Sequence, residues 1–134
     1  MLLFIQKGDE MKNPRANLPA NFKKATIEML LLKLLSEEDM YGYQLSQELK
    51  KRSNGTYTIL EGSMYPILYR LKDKNYIHAY DQKVGVRQTR VYYHLEESGR
   101  EYFKELNNLY HSLTDIIEFL LQSSTGDAYD KDNI

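Results

Sequence analysis

Glu61-Gly62-Ser63-Met64-Tyr65-Pro66-Ile67-Leu68-Tyr69-Arg70-Leu71-Lys72-Asp73-Lys74-Asn75 has the pattern of a short amphipathic helix. Met64, Ile67, Leu68 and Leu71 recur at three- and four-residue spacing, which gives a helix one apolar stripe. Its other side carries Ser63, Tyr65, Tyr69, Arg70, Lys72 and Lys74, with Asp73 as its acid. Pro66 lacks an N–H and clashes with the carbonyl four residues back, so it belongs in a helix's opening turn. The helix is therefore expected to begin near Glu61, and Asn75 supplies a stop. A short helix with a hydroxyl, aromatic and basic outer face is what a DNA major groove accepts.

Working outward, the elements on either side support that helix. Asn21 is the expected N-cap of a first helix running to about Leu35. Its Ile27, Met29, Leu30, Leu31, Leu32, Leu34 and Leu35 cover nearly every side, so burial on more than one face is expected, partly by a second subunit. A second helix is expected from about Tyr41 to Arg52, with Tyr41, Leu45 and Leu49 inside. Ser53-Asn54-Gly55 ends it with turn chemistry, and Thr56-Tyr57-Thr58-Ile59 reads as a short β-prone link. Helix, connection and reading helix make a helix-turn-helix.

After Asn75, two extended runs, Tyr76 to Val84 and Arg87 to Leu95, flank Gly85-Val86. Thr89, Val91, Tyr93 and Leu95 alternate with Arg90, Tyr92 and His94, which is the pattern of a half-buried strand. The pair reads as a hairpin wing with Lys83 and Arg87 at its tip, placed to reach backbone or minor groove. From Glu96 to about Leu121, Tyr102, Leu106, Leu109, Leu113, Ile116 and Leu120 follow at alternating steps of four and three, a heptad seam. Phe103, Tyr110 and Ile117 repeat every seven and widen it. At 1.5 Å per residue this helix is a rod of roughly 39 Å. That is longer than the small domain covers, so a dimer seam is expected.

The 134 residues suit one folded unit, and the 42% hydrophobic content suits a packed core. There is no cysteine, which excludes a disulfide framework, a thiolate metal site and a cysteine nucleophile. No stretch approaches a membrane span, Met1-Leu2-Leu3-Phe4-Ile5 is too short for a signal core, and a cytoplasmic location is expected. The net charge of −1 hides an asymmetry: residues 1–35 carry +3, 36–61 −2, 62–95 +4 and 96–134 −6. Positive charge gathers at the front and on the reading unit, which orients a protein on a polyanion. The organisation expected is an irregular N-terminal arm (1–20), a winged helix-turn-helix domain (21–95), a dimerisation helix (96–121) and a disordered acidic tail (122–134). The fold class is mainly α with a β-hairpin wing (α+β).

The order and spacing of local motifs resemble the PadR family of bacterial winged-helix transcription regulators. The carrying residues are Gly42-Tyr43-Gln44-Leu45, Glu61-Gly62-Ser63-Met64-Tyr65-Pro66-Ile67-Leu68, Arg70-Leu71, Asn75-Tyr76-Ile77, and Arg90-Val91-Tyr92-Tyr93-His94-Leu95 with Gly99. The single long C-terminal helix is similar to the short subfamily. Two positions depart from the family pattern: Asn75 stands where glycine is usual, and Glu96 where a threonine usually caps the last helix. The resemblance implies a homodimer on double-stranded DNA with an inverted-repeat operator, usually as a repressor. It also implies release by a small aromatic effector held between subunits, although this chain lacks the tryptophan that stacks such compounds in drug-responsive members.

The DNA-binding residues expected are Lys23, Lys24, Ser63, Tyr65, Tyr69, Arg70, Lys72, Lys83, Arg87 and Arg90. For Tyr65 the competing reading is a ring that packs and offers its hydroxyl. Leu30, Leu34, Tyr102, Leu106, Leu109, Leu113, Ile116, Ile117 and Leu120 are expected at the dimer interface. Tyr102, Phe103 and Tyr110 are candidates for an effector pocket, weighed against a role as dimer core. No catalytic residue, metal or cofactor is expected. His78, His94 and His111 are scattered without cysteine, and Ser63 lacks an orienting acid and an oxyanion site. The competing functions are a winged-helix protein-interaction module and a ligand-binding sensor without a DNA role.

Overall fold

A computed structural model describes residue 19 and residues 23–130. Its elements in chain order are α1 (Ile27–Leu35), β1 (Met40–Tyr41), α2 (Gly42–Arg52), α3 (Glu61–Asp73), β2 (Ile77–Val84), β3 (Gln88–Leu95) and α4 (Glu97–Gln122). The three strands form an antiparallel sheet in the order β1-β3-β2. Asn21 and most of the expected N-terminal arm lie outside the described residues.

The expectation that a second subunit is needed to bury α1 on several faces is corrected. Leu31, Leu32, Leu34 and Leu35 are all 2% exposed or less within one chain. They meet Leu45 and Leu49 of α2, Met64, Leu68 and Leu71 of α3, and Tyr93 and Leu95 of β3 in one core. Leu30, Tyr102, Phe103 and Leu106 pack against its edge. Each such leucine, fully buried, contributes about 1.5–3 kcal/mol. An all-round apolar helix thus becomes the central helix of a small domain, with α4 crossing it from behind.

Local chemistry sets the ends of the elements. Residues 24–26 form a turn before α1: the Lys23 carbonyl accepts the Thr26 N–H at 2.9 Å and the Thr26 hydroxyl at 3.0 Å. The α2 helix closes with Asn54 (φ 53°) and Gly55 (φ 83°), the Gly55 N–H reaching Lys50 O at 2.8 Å. The β-prone link that follows is not a strand; Tyr57 holds it to the pre-α1 turn, its hydroxyl 2.8 Å from Thr26 Oγ1. The unforeseen strand is β1, where Met40 pairs with Tyr93 and drops into the core. Pro66 sits in the second turn of α3 and not in its first, so the bond that would reach the Gly62 carbonyl is absent.

At the far end of α3, Asn75 turns left-handed (φ 63°). The Asn75 N–H reaches Lys72 O at 2.9 Å and the Tyr76 N–H reaches Leu71 O at 3.0 Å, which closes the helix. The Tyr76 carbonyl then accepts the Glu96 N–H at 2.9 Å, where α4 begins. Gly99 faces that carbonyl so closely that a Cβ there would lie 2.1 Å from Tyr76 O. Residues 123–130 are irregular, but Asp127 Oδ2 accepts the Ser124 N–H at 2.9 Å, and the Tyr129 ring meets Phe119 at 5.5 Å.

Gly99→Ala is expected to lower stability by about 1–3 kcal/mol, because neither backbone at this crossing yields easily. Gly62→Ala, whose Cβ would meet nothing within 4 Å, is expected to be neutral or to raise the melting temperature slightly. Thermal melts of both variants check the contrast.

Candidate nucleic-acid interface

The α3 helix buries Met64, Leu68 and Leu71 and leaves Glu61, Gly62, Ser63, Pro66, Tyr69, Arg70 and Lys72 exposed. No described element covers that outer face. Tyr69 is 57% exposed, and the Lys72 ammonium lies 5.5 Å from its ring centroid. A hydroxyl, a ring and a cation thus stand together where base edges or phosphates would arrive.

Tyr65 is placed differently. It is half-buried, and a Cβ on Gly42 would lie 2.3 Å from its hydroxyl oxygen. Its ring therefore seats α3 against the first residue of α2, and burial pushes its phenol up, helped by the Glu61 charge. This favours the packing reading of Tyr65. Arg70 turns to the flank and pairs through Nη2 with Glu28 Oε2 on α1, while its side chain stays about half exposed. Lys23 is only 7% exposed and its Nζ donates to the Thr58 carbonyl. This corrects its assignment as a DNA contact: the ammonium holds the link before α3. Lys24 is exposed.

On the wing, Val84 pairs with Gln88, which leaves Gly85 (φ 76°), Val86 and Arg87 as the turn. Lys83 and Arg87 are exposed, and Val86 at the tip is 92% exposed. Arg90 is not a tip cation: its guanidinium lies over the Tyr41 ring at 4.3 Å. From there a row of rings crosses the outer face of the sheet. Tyr41 meets Tyr92 at 5.4 Å, Tyr92 stacks on Tyr80 at 5.9 Å, and His78 meets His94 at 5.0 Å. Asp39 ties this row to the turn after α1, with Oδ2 accepting the Tyr80 hydroxyl at 2.6 Å and Oδ1 2.8 Å from His94 Nδ1. His78 pairs with Glu96 at the start of α4. Burial pushes the Asp39 carboxyl up, but the bonds from Tyr80 and His94 outweigh it and hold it below its ordinary value. The same bond, with burial, pushes the Tyr80 phenol up to about 12.

The seam residues divide along α4. Leu34 is 2% exposed and lies in the protomer's own core, which corrects its assignment to a subunit interface. Leu30, Tyr102, Phe103 and Leu106 also rest against that core. Tyr102 is turned inward as well, its hydroxyl donating to Glu28 and its ring stacked on Tyr76 at 4.3 Å. Farther along, Leu109, Leu113, Ile117, Leu120 and Leu121 are 43–77% exposed, with Ile116 and Tyr110 half-buried. Of the three aromatic pocket candidates, Tyr102 and Phe103 are spent within one chain. A cleft of about 300 Å³ lies elsewhere, lined by Asn75, Ile77, His78 and residues 96–98. No group of three His, Cys, Asp or Glu able to hold a metal occurs among the described residues.

Tyr43, outside the residues expected at the interface, stands 55% exposed at the start of α2. Its place in Gly42-Tyr43-Gln44-Leu45, on the polar side of a short helix, is the signal that pointed to it. Glu28 and Asp39 went unmarked too. Each is a single acid whose partners lie far along the chain, at Arg70 and Tyr102 for the first and Tyr80 and His94 for the second.

Comparison with known proteins gives consistent results. The profile of the Transcriptional regulator PadR-like family matches residues 31–105. An uncharacterized protein of Lysinibacillus sphaericus is 32% identical over 96 residues, 72% of this chain and 88% of that protein. A PadR-like transcriptional regulator from Bacillus cereus superposes with a TM-score of 0.66 at 28% identity, covering 78% of this chain and 100% of that one. The transcriptional regulator YqjI of Escherichia coli is 27% identical over 63% of this chain, which spans only 39% of that protein.

Because the folded Asp39 carboxyl titrates below its ordinary value, the stability it lends is complete above that ordinary value and is lost as pH falls through the folded one. Amide exchange on β2 and β3 is expected to speed up in acid before exchange in α1 does. Asp39→Asn should flatten that difference.

Proposed function

The chain belongs to the Transcriptional regulator PadR-like family, and from that premise we propose that it is a homodimeric repressor acting in the cytoplasm on an inverted-repeat operator. The observation that carries this reading is the uncovered outer face of α3, with Ser63, Tyr69 and Lys72 exposed above the buried Met64, Leu68 and Leu71. Tyr69 and Ser63 meet base edges or phosphates. Lys72, Lys24 and the exposed flank of Arg70 lie on the backbone, with Lys83 and Arg87 flanking each half-site from the wing. Arg90 stiffens the wing through Tyr41, and Tyr65 sets the seat of α3 on α2.

The dimer reading rests on α4. Leu109, Leu113 and Leu120 stand exposed on the heptad line with the half-buried Ile116 between them, and the exposed Ile117 widens the apolar stripe. A single chain leaves that area in water. Paired stripes place two reading helices about 34 Å apart, one turn of duplex. Release by a planar effector is the finer part of the proposal. Tyr110, half-buried beside the stripe, is the aromatic residue left to line a chamber between subunits. No helix among the described residues is long and apolar enough to cross a membrane.

Selection of random duplexes on the purified protein tests the reading, and an inverted repeat with half-sites one turn apart is the expected product. Tyr69→Ala and Arg87→Ala should each weaken the shift of that duplex at least tenfold in a mobility assay while the dimer persists. Loss of the Arg87 phosphate contact should also lower the slope of log affinity against log salt by about one. If both variants shift the operator like the parent, these faces are wrongly assigned. In sedimentation, Leu113→Asp should run as a monomer, since it places an unpaired charge in the seam.

A further inference from the structure

One carboxylate ties three helices together. Glu28 on α1 is 15% exposed at its side chain, and both its oxygens are engaged. Oε2 takes Nη2 of Arg70 from α3, and Oε1 takes the hydroxyl of Tyr102 from α4. The Tyr102 ring in turn lies flat on Tyr76, with centroids 4.3 Å apart and planes 10° apart. Tyr76 is the residue whose main chain joins the end of α3 to the start of α4, through Leu71 O and the Glu96 N–H. The α3 helix is therefore held to α4 at two places. One is Tyr76, a pivot just past the helix end. The other is the path Arg70–Glu28–Tyr102, which meets α3 three residues before its end at Asp73, or about 4.5 Å of helix rise.

Met64, Leu68 and Leu71 seat one side of α3 on the core, and the Glu28 path adds a polar tie on its exposed flank that opposes rolling on that seat. Arg70 can serve in that tie without leaving solvent, because a guanidinium has several N–H donors in a rigid fork and Glu28 takes Nη2 alone. We propose that Glu28 is a positioning residue that sets the angle of the reading helix against the dimerisation helix, and so fixes the half-site spacing that the dimer accepts. The inference rests on the operator-binding dimer described above and adds a residue that touches neither DNA nor the partner subunit. A shift of about 3.4 Å between reading helices equals one base pair of spacing, so a modest swing is enough to change the preferred operator. Without the strut, each half-site is still read by the same face of α3, but the separation of the two heads is no longer unique.

Two variants test this. Glu28→Ala removes both bonds, and Tyr102→Phe removes one hydroxyl while keeping the ring on Tyr76. Each is titrated against the selected inverted repeat with its spacer native, and with one or two base pairs added or removed. A duplex with a single half-site and a thermal melt accompany each titration. The parent is expected to discriminate against a one-base-pair change by roughly tenfold, the scale of one coupled contact. Both variants should lose most of that discrimination and bind the single half-site like the parent. The proposal is overturned if the variants keep the parent's spacing preference. It is equally overturned if their affinity falls by the same factor at every spacing in step with a lower melting temperature, since that marks general loosening of the fold. Should Glu28→Ala fail to fold, Tyr102→Phe decides the matter alone. A parent that binds no inverted repeat removes the DNA reading itself, and the strut with it.

Discussion

A single residue, Tyr76, joins the reading helix to the long helix. The Tyr76 N–H closes α3 on Leu71 O, and its carbonyl opens α4 by accepting the Glu96 N–H. Both bonds depend on the left-handed turn at Asn75 and on the missing side chain at Gly99. Ser98 adds to the same junction, its hydroxyl donating to Asn75 O at 2.8 Å. The polar backbone at the crossing is thus satisfied by the two elements it connects, which is what allows them to pack without a gap. The orientation of the α3 outer face relative to the α4 stripe follows from this junction. The large apolar contacts of α1 then hold the junction shut.

Much of this was legible in sequence, and for identifiable reasons. The spacing of Met64, Ile67, Leu68 and Leu71 fixed the face of α3, and Asn75 and Gly55 marked helix ends because few other residues adopt a positive φ. The hairpin and the long helix announced themselves by periods of two and near three and a half. What sequence misplaced was the cover of α1. Periodicity says that a helix is buried on several sides but not by what, and here α2, α3, α4 and β3 of the same chain do it. The heptad line has the pattern of one seam, yet its first turns, at Tyr102 and Leu106, pack against the protomer's own core and only its later turns are uncovered. The same ambiguity led to Leu34.

The candidate site was less legible than the fold. Charge and exposure were inferred together from residue type, and Lys23 shows the failure: a lysine with its ammonium on a main-chain carbonyl is a structural group. Arg90 and Tyr65 were moved in the same way, one by the Tyr41 ring and the other by the glycine at the start of α2. Residues such as Glu28 and Asp39 carry no local signal at all. Their roles arise from partners forty or more positions away, which only the folded chain brings within reach.

The wing divides in the middle. Near its base, Ile77, Tyr93 and Leu95 are anchored in the core, whereas residues 81–83 and 85–89 stand in solvent on a backbone ladder alone. A two-stranded ribbon of that kind is marginal by itself and takes its order from the end that is nailed down. The outer half therefore contributes little to holding the domain together. Substitutions there are nearly free of folding cost, while the same changes three rungs lower would open the core. Divergence between relatives can accordingly proceed at the tip, adjusting which flanking DNA is gripped, without renegotiating the architecture that carries it.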